Sequence, residues 1–381
     1  MVEWKKLISV SDVLYGYPFE SSLFTEDSDN IPLIRIRDVK PAIASTYYSG
    51  QILDDYRIRR GDILVGMDGE FNLGKWNDRD GLLNQRVLKL KGKEGLCLDG
   101  FLFHYMGPVF KKIEKETAGG SVKHLSAKAI NQIVIPVPPI NKQEQIVDML
   151  DAFTSSIDNL KQQIAQRRKQ YEYYRDLLLD LEGKEGVEMK SLGKLCEIKG
   201  RIGFRGYTRE DQVEEGEGVI SLSPGNIEDG KMVYNGCTYI TWDKYNESPE
   251  IMTFNGDVLF CKTGSTVGKV AMVDNLPCEA TINPQLVVLK NISINSKFLK
   301  YSLGTFRIQS IVKRLAGVGS VPNISQEKLG NLEILLPSLS EQQRIVDILD
   351  KFEASIQNLE AQLSQREKQY EYYRNKLLTF E

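Results

Sequence analysis

The 381 residues are 41% hydrophobic and 27% charged, as in a folded chain with room for two or three cores rather than a disordered one. A formal charge of −3 speaks against a wholly basic nucleic-acid binder without excluding a basic face, and no apolar run reaches the roughly 20 residues that span a bilayer. Five scattered cysteines without a Cys-x-x-Cys pair, and only two histidines (His104 and His124), point to reduced thiols and argue against a disulfide framework, a zinc knuckle or a His-based triad.

The opening, Met1-Val2-Glu3-Trp4-Lys5-Lys6, leads into no signal-type apolar stretch, so a cytoplasmic location is expected. Residues 1–141 then read as a first α+β domain of short β-branched strands among Gly-rich turns. Arg35 and Arg37 are expected on one short strand, facing the same way at period two. Tyr56, Arg57, Arg59 and Arg60 interleave basic and aromatic side chains. Gly61-Asp62-Ile63-Leu64-Val65 leads a strand, and a Gly-rich turn from Gly69 carries Lys75 toward a phosphate or closes an ordinary hairpin. Asn84 and Gln85 follow, then Lys111, Lys112 and Lys115, a Gly119-Gly120-Ser121 turn, and Lys123 with His124. Pro138 and Pro139 stop backward extension of a helix over 142–182, for which Asn141 and Glu144 form a loose capping box.

Gly183-Lys184-Glu185-Gly186 reads as a hinge into a second domain, 187–340. Basic and aromatic residues cluster at Lys199, Arg201, Phe204, Arg205, Tyr207 and Arg209, ahead of strands VISLSP, KMVYN, DVLFC and LVVLK. The stretch Lys262 to Val270 resembles a phosphate loop but fails it. Three residues, not four, separate Gly264 from Gly268, and Val270 has no hydroxyl for magnesium. Asn283-Pro284-Gln285-Leu286 likewise departs from an Asn-Pro-Pro-Tyr methyltransferase signature at its third residue. Catalysis by this chain is not expected. Lys313 and Arg314 precede a second Gly-Ser turn, Pro337 and a Ser340–Gln343 capping box precede the last helix, 341–381.

The halves repeat. Residues 143–182 and 342–381 match at more than half their positions with a constant offset of 199. Both carry an unbroken heptad seam. In the first it runs Ile146, Leu150, Phe153, Ile157, Leu160, Ile164, Arg167, Tyr171, Tyr174, Leu178, Leu181. In the second it runs Ile345, Leu349, Phe352, Ile356, Leu359, Leu363, Arg366, Tyr370, Tyr373, Leu377, Phe380. At ~1.5 Å per residue each helix would be roughly 60 Å long. A parallel pair would set Arg167 against Arg366, so an antiparallel coiled coil within one chain is expected. Reversal about Ile164 and Leu363 places Arg366 near Leu160, Arg167 near Leu359, Tyr171 opposite Ile356 and Tyr174 opposite Phe352. Fainter matches pair Gly61–Val65 with Gly256–Phe260, Asn84-Gln85 with Asn283-Pro284-Gln285, residues 119–126 with 317–325, and Val2–Lys5 with Val187–Lys190.

Arg, Lys, Asn and Gln can read base edges or hold phosphates. On that chemistry the candidate DNA contacts are Arg35, Arg37, Lys75, Asn84, Gln85, Lys123 and His124 in the first half. In the second they are Arg201, Arg205, Tyr207, Lys262, Lys269, Asn283, Gln285, Lys313 and Arg314. Each taken singly also reads as a solvated surface charge. A coiled-coil scaffold whose heads bind protein is the competing reading, and it predicts no salt-dependent DNA affinity.

The junctions carry a resemblance. Ser126 … Ile133-Val134-Ile135-Pro136-Val137-Pro138-Pro139 … Glu144-Gln145-Ile146, and Ser325 … Ile334-Leu335-Leu336-Pro337 … Gln342-Gln343-Arg344-Ile345, are similar to the "IPLPPLxEQ" joint of specificity subunits of Type I restriction–modification enzymes. The second copy lacks the second proline, and the first has Asn141-Lys142-Gln143 where an acid often stands. The resemblance covers essentially the whole chain and implies two target-recognition domains, each followed by a helical spacer. Each domain would read half of a bipartite double-stranded DNA site. The helices would set the half-site spacing and dock two methyltransferase subunits, joined in some systems by restriction/translocase subunits. S-adenosylmethionine, ATP and magnesium would belong to those partners, with no cofactor, metal or membrane contact in this chain, in a bacterial or archaeal cytoplasm.

Overall fold

The computed structural model describes residues 2–117, 123–201, 206–317, 319 and 321–380. The chain forms two compact α+β units, Met1–Lys161 with Ala361–Glu381, and Gln162–Glu360. Each unit therefore combines one globular head with segments of both long helices.

Each head is organised on a four-stranded antiparallel sheet of the same order. In the first unit the order is Ser11–Tyr15, Val87–Gly92, Ile63–Gly66, Leu73–Lys75; in the second it is Glu197–Gly200, Leu286–Lys290, Val258–Cys261, Val270–Met272. The duplicated strands keep one register: Val87 lies opposite Gly66, and Leu286 opposite Cys261. These strands are apolar without alternation because both faces are covered. Ile63 and Val65 point into one cluster with Phe101, Met106 and Phe110, whereas Leu64 points into another with Ile34, Trp76 and Leu83. Val258 and Phe260 divide from Leu259 and Cys261 in the same way. A second sheet in each head contains one parallel pair, Ile31–Ile34 with Gly81–Leu83 and Val219–Leu222 with Ala280–Ile282.

The Gly-Asp repeat has a local cause. Gly61 and Gly256 turn into the strand at φ 94° and 96°, a region that favours glycine. The following carboxylate closes the turn: Asp62 accepts from the Arg59 N–H (2.7 Å), and Asp257 from the Phe254 N–H (3.0 Å). Each also meets a lysine of the central strand, Lys89 (2.8 Å) or Lys290 (3.1 Å).

The matching Val2–Lys5 and Val187–Lys190 segments find their partners at the junctions. Glu3–Lys6 pairs antiparallel with Val134–Val137, and Glu188–Ser191 with Glu333–Leu336. The long helices follow directly, Ile140–Leu178 and Leu339–Leu377. Neither begins with the expected capping box. The cap of the second is Ser338, whose Oγ accepts the Glu341 N–H (3.3 Å), and in the first the Pro139 carbonyl accepts from Lys142 and Gln143. Both starts therefore fall about two residues earlier than the side-chain pattern suggested, immediately after Pro139 in the first helix and after Pro337-Ser338 in the second. The buried glutamines Gln143 and Gln342, 199 residues apart, fasten these starts. Gln143 accepts from the Leu98 N–H and donates to the Pro138 carbonyl; Gln342 accepts from the Asn295 N–H and donates to that of Pro337.

Within each unit the helices run antiparallel. In the first, Phe153 stacks on Tyr373 (5.3 Å between centroids) and Lys161 meets Glu367 (3.7 Å). In the second, Tyr174 stacks on Phe352 (5.3 Å), as reversal about the expected point requires, and Arg168 meets Glu360 (2.6 Å). Ile146, Leu150, Ile157, Ile164, Ile345, Leu349 and Ile356 are buried, while Leu160, Leu359, Leu363 and Tyr370 are half-buried. One seam detail differs from expectation: the Arg366 guanidinium, expected near Leu160, lies over Phe153 (5.6 Å), drawn there by the ring face. Tyr171 donates to Glu353 (3.2 Å). Leu181 and Phe380 lie past the helix ends and pack on the heads.

A repeated polar node joins head to helices. In the first unit His104 stands between Asp151 (Nε2 to Oδ1, 2.6 Å) and the Tyr370 hydroxyl (Nδ1, 3.0 Å). In the second unit Tyr301 donates to Asp350 (2.6 Å), with the Tyr171 ring 6.4 Å away. Asp350 and Tyr370 lie 199 residues from Asp151 and Tyr171, so histidine and tyrosine fill equivalent centres. The neutral tautomer with Nε2–H satisfies both partners. Burial lowers the His104 pKa against the opposing pull of Asp151, with Lys75 and Arg374 also disfavouring a second proton. The unfolded chain therefore binds the proton more readily, so stability holds above about pH 6.5 and falls as pH drops from there to the lowered folded value. His104→Tyr, copying the second unit, should flatten that acid limb in urea titrations between pH 8 and 5. Parallel curves for the two proteins would show that the node does not titrate with folding.

Candidate nucleic-acid interface

In each unit three turns meet at one end of the four-stranded sheet, and the backbone contacts are the same in both. In the first unit the Met67 N–H donates to the Arg86 carbonyl (2.8 Å), its carbonyl accepts from Leu125 (2.7 Å), and Gly69 N–H donates to Lys123 (3.0 Å). In the second unit the Lys262 N–H donates to Gln285 (2.9 Å), its carbonyl accepts from Ile324 (2.9 Å), and Gly264 N–H donates to Pro322 (2.9 Å). Isolated antiparallel bridges Asp68–His124 and Thr263–Asn323 complete the match. Gly69 and Gly264, at φ 72° and 100°, allow the chain to turn there.

The site gathers Asn84, Gln85, Lys123 and His124 in the first unit, and Lys262, Asn283 and Gln285 in the second. Asn84 is buried, and its Oδ1 has no hydrogen-bond partner among the described residues. Asn283 donates from Nδ2 to Gln285 Oε1 (3.2 Å) and accepts the Gln285 N–H (3.0 Å). Lys123 is held by Glu114 (3.2 Å), whose carboxyl is kept below its usual range by the Phe71 N–H first and by Lys123 and Lys111 as well. The register also corrects the sequence pairing. Counting back from Val87 and Leu286, Gln85 corresponds to Pro284, and Arg86 to Gln285.

Other candidates border this site. Arg35 follows Ile34, whose carbonyl accepts from Asn84 (3.3 Å). It does not share a strand with Arg37: the strand ends at Ile34, and Asp38 captures the Arg35 N–H (2.9 Å) to start a short helix, Ile36–Val39. Arg37 donates to Ser45 and Thr46 (2.8 and 2.6 Å). Arg201 is buried, donating to the Ile282 carbonyl (3.1 Å) beside Asn283, with its guanidinium 5.3 Å from the Tyr207 ring; burial lowers its pKa. The Tyr207 hydroxyl accepts from Ser221 (2.9 Å). Lys313 and Arg314 lie exposed in the last turn of Phe306–Ala316, whose Ala316 carbonyl accepts from Asn323 (3.1 Å). Arg205, and the Gly119-Gly120-Ser121 turn, lie outside the described residues.

Lys75 and Lys269 are turned to other partners. Lys75 faces Asp151 (3.5 Å) and the Phe103 ring (4.7 Å), and Lys269 donates to the Ile227 carbonyl (2.9 Å). The glycine stretch of the second unit closes a hairpin between Val258–Cys261 and Val270–Met272, with no helix after it to cradle a phosphate. Sequence reasoning passed over Asp68, Arg86, Thr263 and Asn323. Their signal was positional: each falls at a matched distance from a Gly-Asp pair or a junction in both halves.

The family model for the Type I restriction modification DNA specificity domain matches twice, over residues 1–167 and 184–367. The chain is 26% identical to the Type I restriction enzyme EcoBI specificity subunit of Escherichia coli, over 93% of this chain and 80% of that one. It is 29% identical to the EcoR124I/EcoR124II specificity subunit of the same species, over 87% and 84%. Its fold is similar to the crystal structure of a Type I restriction–modification S subunit from M. genitalium. The TM-score is 0.60 at 17% identity, covering 100% of this chain and 97% of that one.

Proposed function

The chain belongs to the Type I restriction modification DNA specificity family as a specificity subunit, and on that premise we propose that each head reads one half of a bipartite, asymmetric DNA site. The observation that carries this reading is the three-turn site, built twice on one backbone plan with different side chains. A shared scaffold that varies its exposed Arg, His, Gln and Asn over a half-buried Asp or Thr suits direct readout, because each base pair offers a distinct donor and acceptor pattern in the major groove. Lys313, Arg314, Lys123 and Lys262 supply phosphate contacts, which position without specifying. The paired helices dock two methyltransferase subunits and fix the interval between half-sites. Adenine methylation with S-adenosylmethionine, and ATP- and magnesium-dependent translocation and cleavage where restriction subunits join, take place in those partners.

The test is co-expression with the cognate methyltransferase subunits and genome-wide mapping of methyladenine. A bipartite motif with one fixed interval is expected, together with DNA affinity that falls steeply with salt. Removing one matched heptad from each helix should change or abolish that interval. Methylation without a motif, or no salt-dependent DNA binding, would favour a scaffold with protein-binding heads.

A further inference from the structure

We propose that Arg86 and Gln285 are the corresponding base-reading residues of the two heads, Arg86 taking guanine and Gln285 adenine in the major groove; this rests on the DNA-reading function above. Both stand directly before the central strand, fixed by the pairing of Val87 with Gly66 and of Leu286 with Cys261. Their carbonyls accept from Met67 and Lys262 at 2.8 and 2.9 Å, so the same backbone hydrogen bond anchors both while the side chain and the local φ differ. Both side chains are exposed at the meeting point of the three turns, Arg86 by 56%.

The chemistry of each is suited to one base. A guanidinium presents a planar fork that matches guanine O6 and N7, and a carboxamide matches adenine N6 and N7. Each is steadied from behind by a neighbour in the same site. Asp68 lies 3.5 Å from Arg86 Nε and 2.6 Å from His124 Nδ1, so one carboxylate orients both. Asn283 donates to Gln285 Oε1 at 3.2 Å. Arg86 also adopts φ 70°, a conformation non-glycine residues rarely hold, which aims its side chain differently from an ordinary strand entry. Asp68 and Asn283 are positioning residues in this arrangement. Gln85 and Pro284, the neighbours one place earlier, share no such anchoring of both copies.

The experiment uses the complex with its methyltransferase subunits, comparing wild type with R86Q, R86K and Q285R. Methyladenine maps are read alongside competition binding to duplexes substituted at each motif position. R86Q should lower discrimination for guanine at one position of the first head's half-site by about 10- to 100-fold, leaving the other half unchanged. R86K keeps the charge and loses the fork, so guanine preference should fall while the salt dependence of binding stays as in wild type. Q285R should alter one adenine position in the other half only. Uniform loss of affinity across all sequences, or unchanged half-sites with melting temperatures equal to wild type, overturns the assignment. A variant that fails to fold leaves R86K as the deciding protein, since it preserves the Asp68 contact. Absence of any bipartite motif in the wild type would instead remove the DNA-reading function itself.

Discussion

Leu150→Ala is expected to destabilise the first unit by about 2–5 kcal/mol, and Leu349→Ala the second by a similar amount. Both leucines are fully buried. Neither sits in an isolated helix seam. Leu150 shares a cluster with Phe101, Leu102 and Met106 of its head and with Tyr370 and Leu377 of the other long helix. Leu349 packs with Phe298 and Tyr301 of its head and with Tyr171 and Leu178. Truncation therefore opens a cavity where three elements meet, and the surroundings cannot collapse to fill it without moving a helix. Leu160→Ala and Leu359→Ala remove half-buried leucines from the helix seam alone and should cost less. Urea unfolding of the four variants checks the ordering. A Leu150 or Leu349 cost no larger than that of Leu160 would mean that the helix starts are not part of the head cores.

Exchanging residues 1–140 for the first head of another family member should replace one half of the methylated motif completely and leave the other half as it was. The premise is that each four-stranded sheet, with its three turns, closes on its own register. The polar node sets a condition on the exchange. The graft must present to Asp151 and Tyr370 a side chain able to fill the place of His104, and must offer a backbone N–H to Gln143 where Leu98 now does. Grafts meeting both conditions should express and methylate. If both halves of the motif change together, or neither does, reading is not divided between the heads.

Much of the architecture was legible because its signals are periodic or repeated. The seams from Ile146 and Ile345 follow a heptad, and a 199-residue offset exposed the duplication. Antiparallel pairing followed from one unfavourable alternative, Arg167 against Arg366. What escaped was decided by tertiary contacts that leave no periodic trace. The Ile31–Ile34 strand ends before Arg35 because Asp38 captures its N–H, and the long helices start at Pro139 and Ser338 rather than at the expected Asn141 and Ser340. Lys75 and Lys269 read as lysines carried toward a phosphate or as parts of ordinary hairpin turns, and the fold places a carboxylate and a backbone carbonyl within their reach. Arg86 was passed over because Gln85 fits the local pattern better; strand register, which agrees with the 199-residue offset of the helices, shows that Arg86 stands where Gln285 does.

The first compact unit is assembled from residues 1–161 together with 361–381, whereas the second is a single continuous stretch. On a ribosome, therefore, the head begun first is finished last. Until residues near Tyr370, Leu377 and Phe380 emerge, His104 lacks its hydroxyl partner and the apolar surface around Phe101 and Leu150 stays partly uncovered. The second unit needs no such wait once residue 360 is made. Contacts as far apart as His104 and Tyr370, 266 residues, close late because loop entropy must be overcome first. During synthesis the nascent first head is thus the exposed one, and it is covered only after the heptads around Tyr370 and Leu377 are made.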